Sequence, residues 1–194
     1  MSSPPPAEAL LRQLSRISKE QRWPVEWTPR FVGNALSEQQ RIRIVDIASA
    51  ILRSRAPFAQ SIGSRLELSE VKVSRREEDH KVHLRFTFEV DTTPDMLNAF
   101  GSMHGSCTTF LIDASSSIAL TALSAVAHKL GLLVSQSLTT SFHSPAPPGA
   151  RLRIIAETVA FSSRTASAEV QIWDVTNGRL IATGMHNQMQ MSKL

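Results

Sequence analysis

Residues 98–130 read NAFGSMHGSCTTFLIDASSSIALTALSAVAHKL, and the fold follows from how this stretch must be buried. Two glycines four apart, Gly101 and Gly105, open it, and neither Gly nor Pro occurs again until Gly131. The residues after Gly105 are apolar or small, with one acid among them, Asp113; the nearest charge downstream is Lys129, beside His128. A break-free run of this length predicts one long helix, apolar nearly all round, and such a helix needs other elements to cover it. Its length would also suit a membrane span. Asp113 and the many Ser and Thr make lipid a poor solvent for it, so a buried helix of a soluble protein is expected.

On either side of this helix the hydrophobic period falls to two. Upstream, Leu66 and Leu68 alternate with charged residues, and Val71 and Val73 do so again after one slip of phase, which predicts a bulge. Beyond the charged turn RREEDH, Val82, Leu84, Phe86, Phe88 and Val90 point one way along a strand. Downstream, LLVSQSLTTSFH, RLRIIAETVAF, RTASAEVQIWDV and RLIATGMHNQMQM read as four more strands. The last two are joined through Asn177-Gly178, a strong hairpin signal. One long helix amid hairpin-connected strands is an α+β arrangement, not alternating βαβ.

Residues 1–60 have a different texture. SSPPP is a low-complexity start; Leu10, Leu11, Leu14 and Ile17 then fall at helical spacing. A second helix is expected from Ser37 to Arg53, with Ser37 as N-cap and Gln40 completing a capping box. We therefore divide the 194-residue chain into an N-terminal helical extension, 1–60, packed on a main domain, 61–194. The charge of +4 is modest, and the scattered arginines are not interleaved with aromatics, which argues against nucleic-acid binding. One cysteine excludes an intrachain disulfide and fits a reducing compartment. The cytoplasm is expected, with the mitochondrion as the alternative.

The chemistry concentrates where the helix begins. The first N–H groups of a helix have no intrahelical partner, and the macrodipole adds positive potential there. At Gly105 no side chain bars a ligand oxygen from that N–H. Such a site can polarise a carbonyl; the glycines alone fit a tight turn equally well. Asp113 is the candidate base, expected among Phe110, Leu111, Ile112 and Ile118, where burial would favour its neutral form. It lies eight residues past Gly105, about 12 Å along a helix axis. One chain cannot easily bring both groups to one substrate, so a site built from both is most simply shared by two copies.

Asn-x-x-Gly-x-x-His-Gly from Asn98 to Gly105, with Asp113 eight residues on and a long helix around it, resembles the hotdog-fold acyl-coenzyme A (CoA) thioesterases, in particular the PaaI-like and thioesterase-superfamily-member-2-like branch. Ser135, the Ser-Pro-Ala at 144–146 and the Ser-Arg-Thr at 163–165 extend the resemblance, which spans roughly residues 62–191. It implies a hotdog fold, a long central helix wrapped by an antiparallel sheet, assembled as a homodimer or tetramer, and an acyl-CoA or acyl-carrier thioester as substrate, with neither metal nor separate cofactor. By the same resemblance Asn98 and the Gly105 N–H handle the carbonyl and the water, Asp113 of the partner copy is base or nucleophile, and Ser135 orients the water or Asp113. Arg164 would lie near the CoA phosphates and the Phe142–His143–Ser144 segment beside the pantetheine arm. His104, counted with the substrate-binding residues, is read as holding its loop. Ser106 stands where the family usually has a second glycine; as a good N-cap it should preserve the helix start.

Other chemistries are less well supported. Cys107 near His104 lacks a third, orienting group, GSMHG is not a nucleophile elbow, and the six histidines show no metal-ligand spacing. A hotdog hydratase or dehydratase and a non-catalytic acyl-thioester-binding module are the alternatives, separated from a hydrolase by a thioesterase assay with Asp113→Asn as control.

Overall fold

A computed structural model describes residues 27–33, 36–53, 58–127 and 132–191; the expected helix near residues 7–20 and the segment 128–131 lie outside them. The decisive stretch forms a 23-residue helix, Gly105–Ala127. Seven strands make one sheet: β1 (Arg30–Val32), β2 (Glu67–Arg75), β3 (Val82–Asp91), β4 (Leu133–Phe142), β5 (Arg151–Phe161), β6 (Thr165–Asp174) and β7 (Arg179–Gln190). Their spatial order is β1-β2-β3-β5-β6-β7-β4. All neighbours run antiparallel except β1 and β2. Among the described residues two further α-helices precede the long one, α1 (Glu38–Leu52) and α2 (Gln60–Gly63), so the long helix is α3. This is an α+β hotdog fold.

Local chemistry accounts for the elements. Ser37 caps α1: its Oγ accepts the Gln40 N–H (3.3 Å) and Gln40 Oε1 accepts the Ser37 N–H (2.9 Å). The slip of phase in β2 is a register shift between Leu68 and Glu70. In β3, Leu84, Phe86 and Phe88 are fully buried, as their alternation requires. The β6–β7 hairpin turns at Gly178 (φ +64°), with the buried Asp174 accepting the Asn177 N–H (3.0 Å).

The sheet does not wrap α3 by itself. Strands β3 to β7 cover one side, and α1 packs along another, with its Ile44 and Ala48 buried in the common core. By length and composition α3 could cross a membrane, yet 67% of its most apolar window is buried inside the protein. It is the core helix.

Strand β4 closes one edge of the sheet. Its ten residues, LVSQSLTTSF, carry no charge and most are exposed. A long edge with no charge or proline, at the border of the sheet among the described residues, presents a row of backbone groups to any other strand.

Candidate active site

The candidate residues fall into two groups at opposite ends of β4. At one end, Gly105 opens α3. His104 caps it, its Nδ1 accepting the Ser106 N–H (3.0 Å) and its carbonyl the Thr108 N–H (3.0 Å). Ser106 therefore sits inside the first turn and is not the cap expected from the sequence; His104, two residues earlier, takes the cap position. Phe142 lies over the entry, its ring 3.5 Å from where a Cβ on Gly105 would stand. Phe142, His143, Ser144 and Gly105 share a groove of about 300 Å³ with Met103 and Ile181. His143 is fixed there by a 2.9 Å bond between its Nε2 and Thr183 Oγ1.

Asn98 shapes the loop before the helix. Its Oδ1 accepts the N–H groups of Phe100 (2.9 Å) and Ser102 (3.3 Å), while Nδ2 donates to Ser102 Oγ (3.2 Å). The carboxamide oxygen is thus used within the loop, and Nδ2 keeps one hydrogen for another acceptor. Phe100, on the same turn, is 94% exposed.

The second group surrounds Asp113, and its centre, His186, was not singled out from the sequence. His186 is fully buried on β7. Its Nδ1 lies 2.6 Å from Ser116 Oγ, its Nε2 3.0 Å from Ser135 Oγ and 3.7 Å from Asp113 Oδ1. Burial, opposed by the Asp113 carboxylate, holds the imidazole below its ordinary pKa. Ser116 Oγ also lies 2.6 Å from the Ile112 carbonyl. If the single hydroxyl hydrogen goes to that carbonyl, as i−4 back-bonds do, Nδ1 is the donor to Ser116. Neutral His186 then accepts the Ser135 hydroxyl at Nε2. The same assignment explains the 3.7 Å gap to Asp113, because an unprotonated Nε2 has no hydrogen to give a carboxylate.

The backbone makes this contact possible at Gly184. A Cβ there would lie 2.6 Å from Ile112 Cγ2 and 3.2 Å from the Thr139 carbonyl. Glycine lets α3 approach β7 at Ile112. Two residues on along the strand, on the same face, His186 then meets Ser116, one helical turn past Ile112. Next in that series, Gln188 Nε2 donates to Ser117 Oγ (2.9 Å).

Asp113 differs from expectation in its surroundings: its side chain is 47% exposed. The residue lies on the wall of a cleft between α3 and the α1–α2 segment, not inside the apolar core. Cys107, by contrast, is buried, and burial pushes its thiol up to about 11, so it is not a poised nucleophile.

Arg164 is exposed on the turn between β5 and β6. Its carbonyl accepts the Gln190 N–H (2.7 Å), and Gln188, two residues earlier, pairs with Ser135. Arg164 thus belongs to the Ser135 end of the sheet. From Ser135 to Phe142 is seven strand residues, about 23 Å, so within one chain Arg164 and the Phe142–Ser144 segment cannot hold two adjacent parts of one small ligand.

Fold and sequence agree with one class of protein. Residues 100–181 match the profile of the thioesterase superfamily, and that stretch of the chain is a thioesterase-superfamily domain. Solved structures with the same fold include mouse thioesterase superfamily member 2 (23% identity, TM-score 0.58, covering 79% of this chain and 98% of that one). The PaaI protein from the phenylacetic acid degradation operon of Escherichia coli is similar too (15%, 0.57, 79% and 92%). So is a hypothetical thioesterase from Streptococcus pneumoniae solved with coenzyme A (17%, 0.52, 66% and 90%). None of the curated proteins searched matches the chain.

Proposed function

We propose that this chain hydrolyses an acyl-CoA thioester to the free acid and CoA, in a site that two copies build together. The observation that carries the proposal is the division just described: a carbonyl-polarising helix start at one end of the β4 edge, and the Asp113–His186–Ser135 cluster at the other. The uncharged edge is suited to pairing with its own copy about a twofold axis. Antiparallel pairing centred near Leu138 and Thr139 would set the Phe142 end of one β4 against the Ser135 end of the other. Each Gly105 would then face the partner copy's Asp113, and Arg164 would reach the same ligand from the Asp113 side. The coenzyme in the Streptococcus pneumoniae structure supports CoA as the carrier.

In this scheme the Gly105 N–H, aided by the α3 dipole, donates to the thioester oxygen as negative charge develops on it. Asp113 takes a proton from a water whose oxygen adds to the carbonyl carbon. Collapse of the adduct breaks the C–S bond; the thiolate leaves and is protonated. Ser135, held by His186, orients the water or the carboxylate, and Asn98 keeps the loop before Gly105 in shape.

Subunit mixing tests the shared site. Asn98→Ala and Asp113→Ala proteins should each be nearly inactive. Heterodimers of the two hold one intact site and should recover up to about half the activity of a wild-type dimer. Heterodimers verified by mass that recover nothing would rule out a shared site.

A further inference from the structure

Beside Asp113, the cleft between the N-terminal helices and α3 encloses about 250 Å³. Leu52 of α1, Phe58, Gly63 of α2, Phe110 and Ala114 are in its wall, and among the described residues Asp113 is the one charged side chain lining it. Phe58, 80% exposed, meets Phe110 edge to face at 5.8 Å between ring centroids and stands over one side. Gly63 holds the walls together: a Cβ there would come 3.3 Å from the Leu52 carbonyl and 3.6 Å from the Phe110 ring.

We infer that this cleft receives the acyl group, so that α1 and α2, outside the stretch matched to the superfamily, select the substrate. The inference rests on the hydrolase reading above. The water activated by Asp113 must touch the carbonyl carbon, so the first acyl carbons lie within a few ångströms of that carboxylate. The apolar space that begins there is this cleft. The groove at Gly105 belongs to the other half-site and remains for the arm of the carrier. A cavity of roughly 150 Å³ accepts a benzene ring. About 250 Å³ therefore suits a compact apolar acyl group, a single ring on a short spacer or a medium alkyl chain. A long fatty acyl chain overfills it, and an acetyl group leaves it empty.

The test compares kcat/KM for acetyl-, hexanoyl-, benzoyl- and palmitoyl-CoA. Wild type should prefer hexanoyl or benzoyl to both extremes. Ala114→Leu, which fills the cleft, should lower the hexanoyl-to-acetyl ratio by about tenfold or more, the effect of one or two methylene groups in an apolar pocket. Phe58→Ala, at an exposed position that puts little stability at risk, should raise the palmitoyl-to-hexanoyl ratio by about tenfold. If both variants hydrolyse thioesters but change all four substrates by one common factor, the cleft is not the acyl pocket, while the hydrolase reading stands. If wild type hydrolyses none of the four, both readings fall.

Discussion

Replacing His186 by Gln tests the core of the proposed mechanism. The imidazole bridges two elements, accepting from Ser135 on β4 at 3.0 Å and bonding Ser116 on α3 at 2.6 Å. A glutamine can reach one of these hydroxyls but not both. The folded state then loses one neutral hydrogen bond, a net change of about 0.5–1.5 kcal/mol. The effect on turnover should be larger. Ser135 would no longer be held in place beside Asp113, and a displacement of roughly 1 Å at reacting groups lowers rates by about 10²-fold. The assay is kcat/KM from thiol release with hexanoyl-CoA. Asp113→Asn alone should lose about 10²–10⁴-fold. Because His186 acts only through Ser135, which serves the water that Asp113 activates, the double variant should be no worse than Asp113→Asn. A double variant whose loss is the product of the two single losses would refute the coupling. Stability gives a second readout. Burial holds the native imidazole below its ordinary value of 6.5, so between the two pKa values the unfolded chain binds more protons. Stability should therefore rise with pH in that window. It should be lost as pH falls from about 6.5 toward the native value, and above about 6.5 this group should leave it unchanged. Urea unfolding at about pH 5.5 and about pH 7.5 should show this acid-side loss in wild type and a smaller one in His186→Gln.

Two stability predictions accompany it. Gly184→Ala sets a Cβ 2.6 Å from the fully buried Ile112, an overpacking that should destabilise by about 1–3 kcal/mol in urea unfolding; adding Ile112→Ala should make the double variant less destabilised than the sum of the singles. Ser37→Ala breaks the capping box of α1 and should lower stability by about 0.5–2 kcal/mol in the same assay, with Ser37→Asp retaining most of it.

Much of the fold is legible because its signals are local. The phase slip after Leu68, the strict alternation in β3, the Asn177-Gly178 turn and a break-free helix each follow from a few neighbouring residues. Strand β1 is not legible: three residues are too short to show a period, and a parallel pairing with β2 leaves no turn signal between them. The surroundings of Asp113 within one chain are not legible for a related reason. Leu111 and Ile112 beside it are fully buried, but neighbours along a helix point to different faces, and which face meets a cleft depends on where α1 lies. His186 carries a readable sign that is easily passed over. It stands, with Gln188, at an inward position of β7, where a polar side chain needs a partner. Naming that partner requires the close approach permitted at Gly184, which no pattern of alternation contains.

The same difference between local and global information governs the site. The eight residues from Gly105 to Asp113 already separate the two chemical groups by about 12 Å, and helix geometry is all that conclusion needs. It does not say where a second copy would bring them together. The sheet order supplies that step, because β4 follows α3 in the chain yet lies beyond β7 at an edge. Ser135 accompanies Asp113 at one end of that edge and Phe142 accompanies Gly105 at the other. In the proposed dimer, an antiparallel β4 edge paired with its own copy would convert two separated halves into two whole sites.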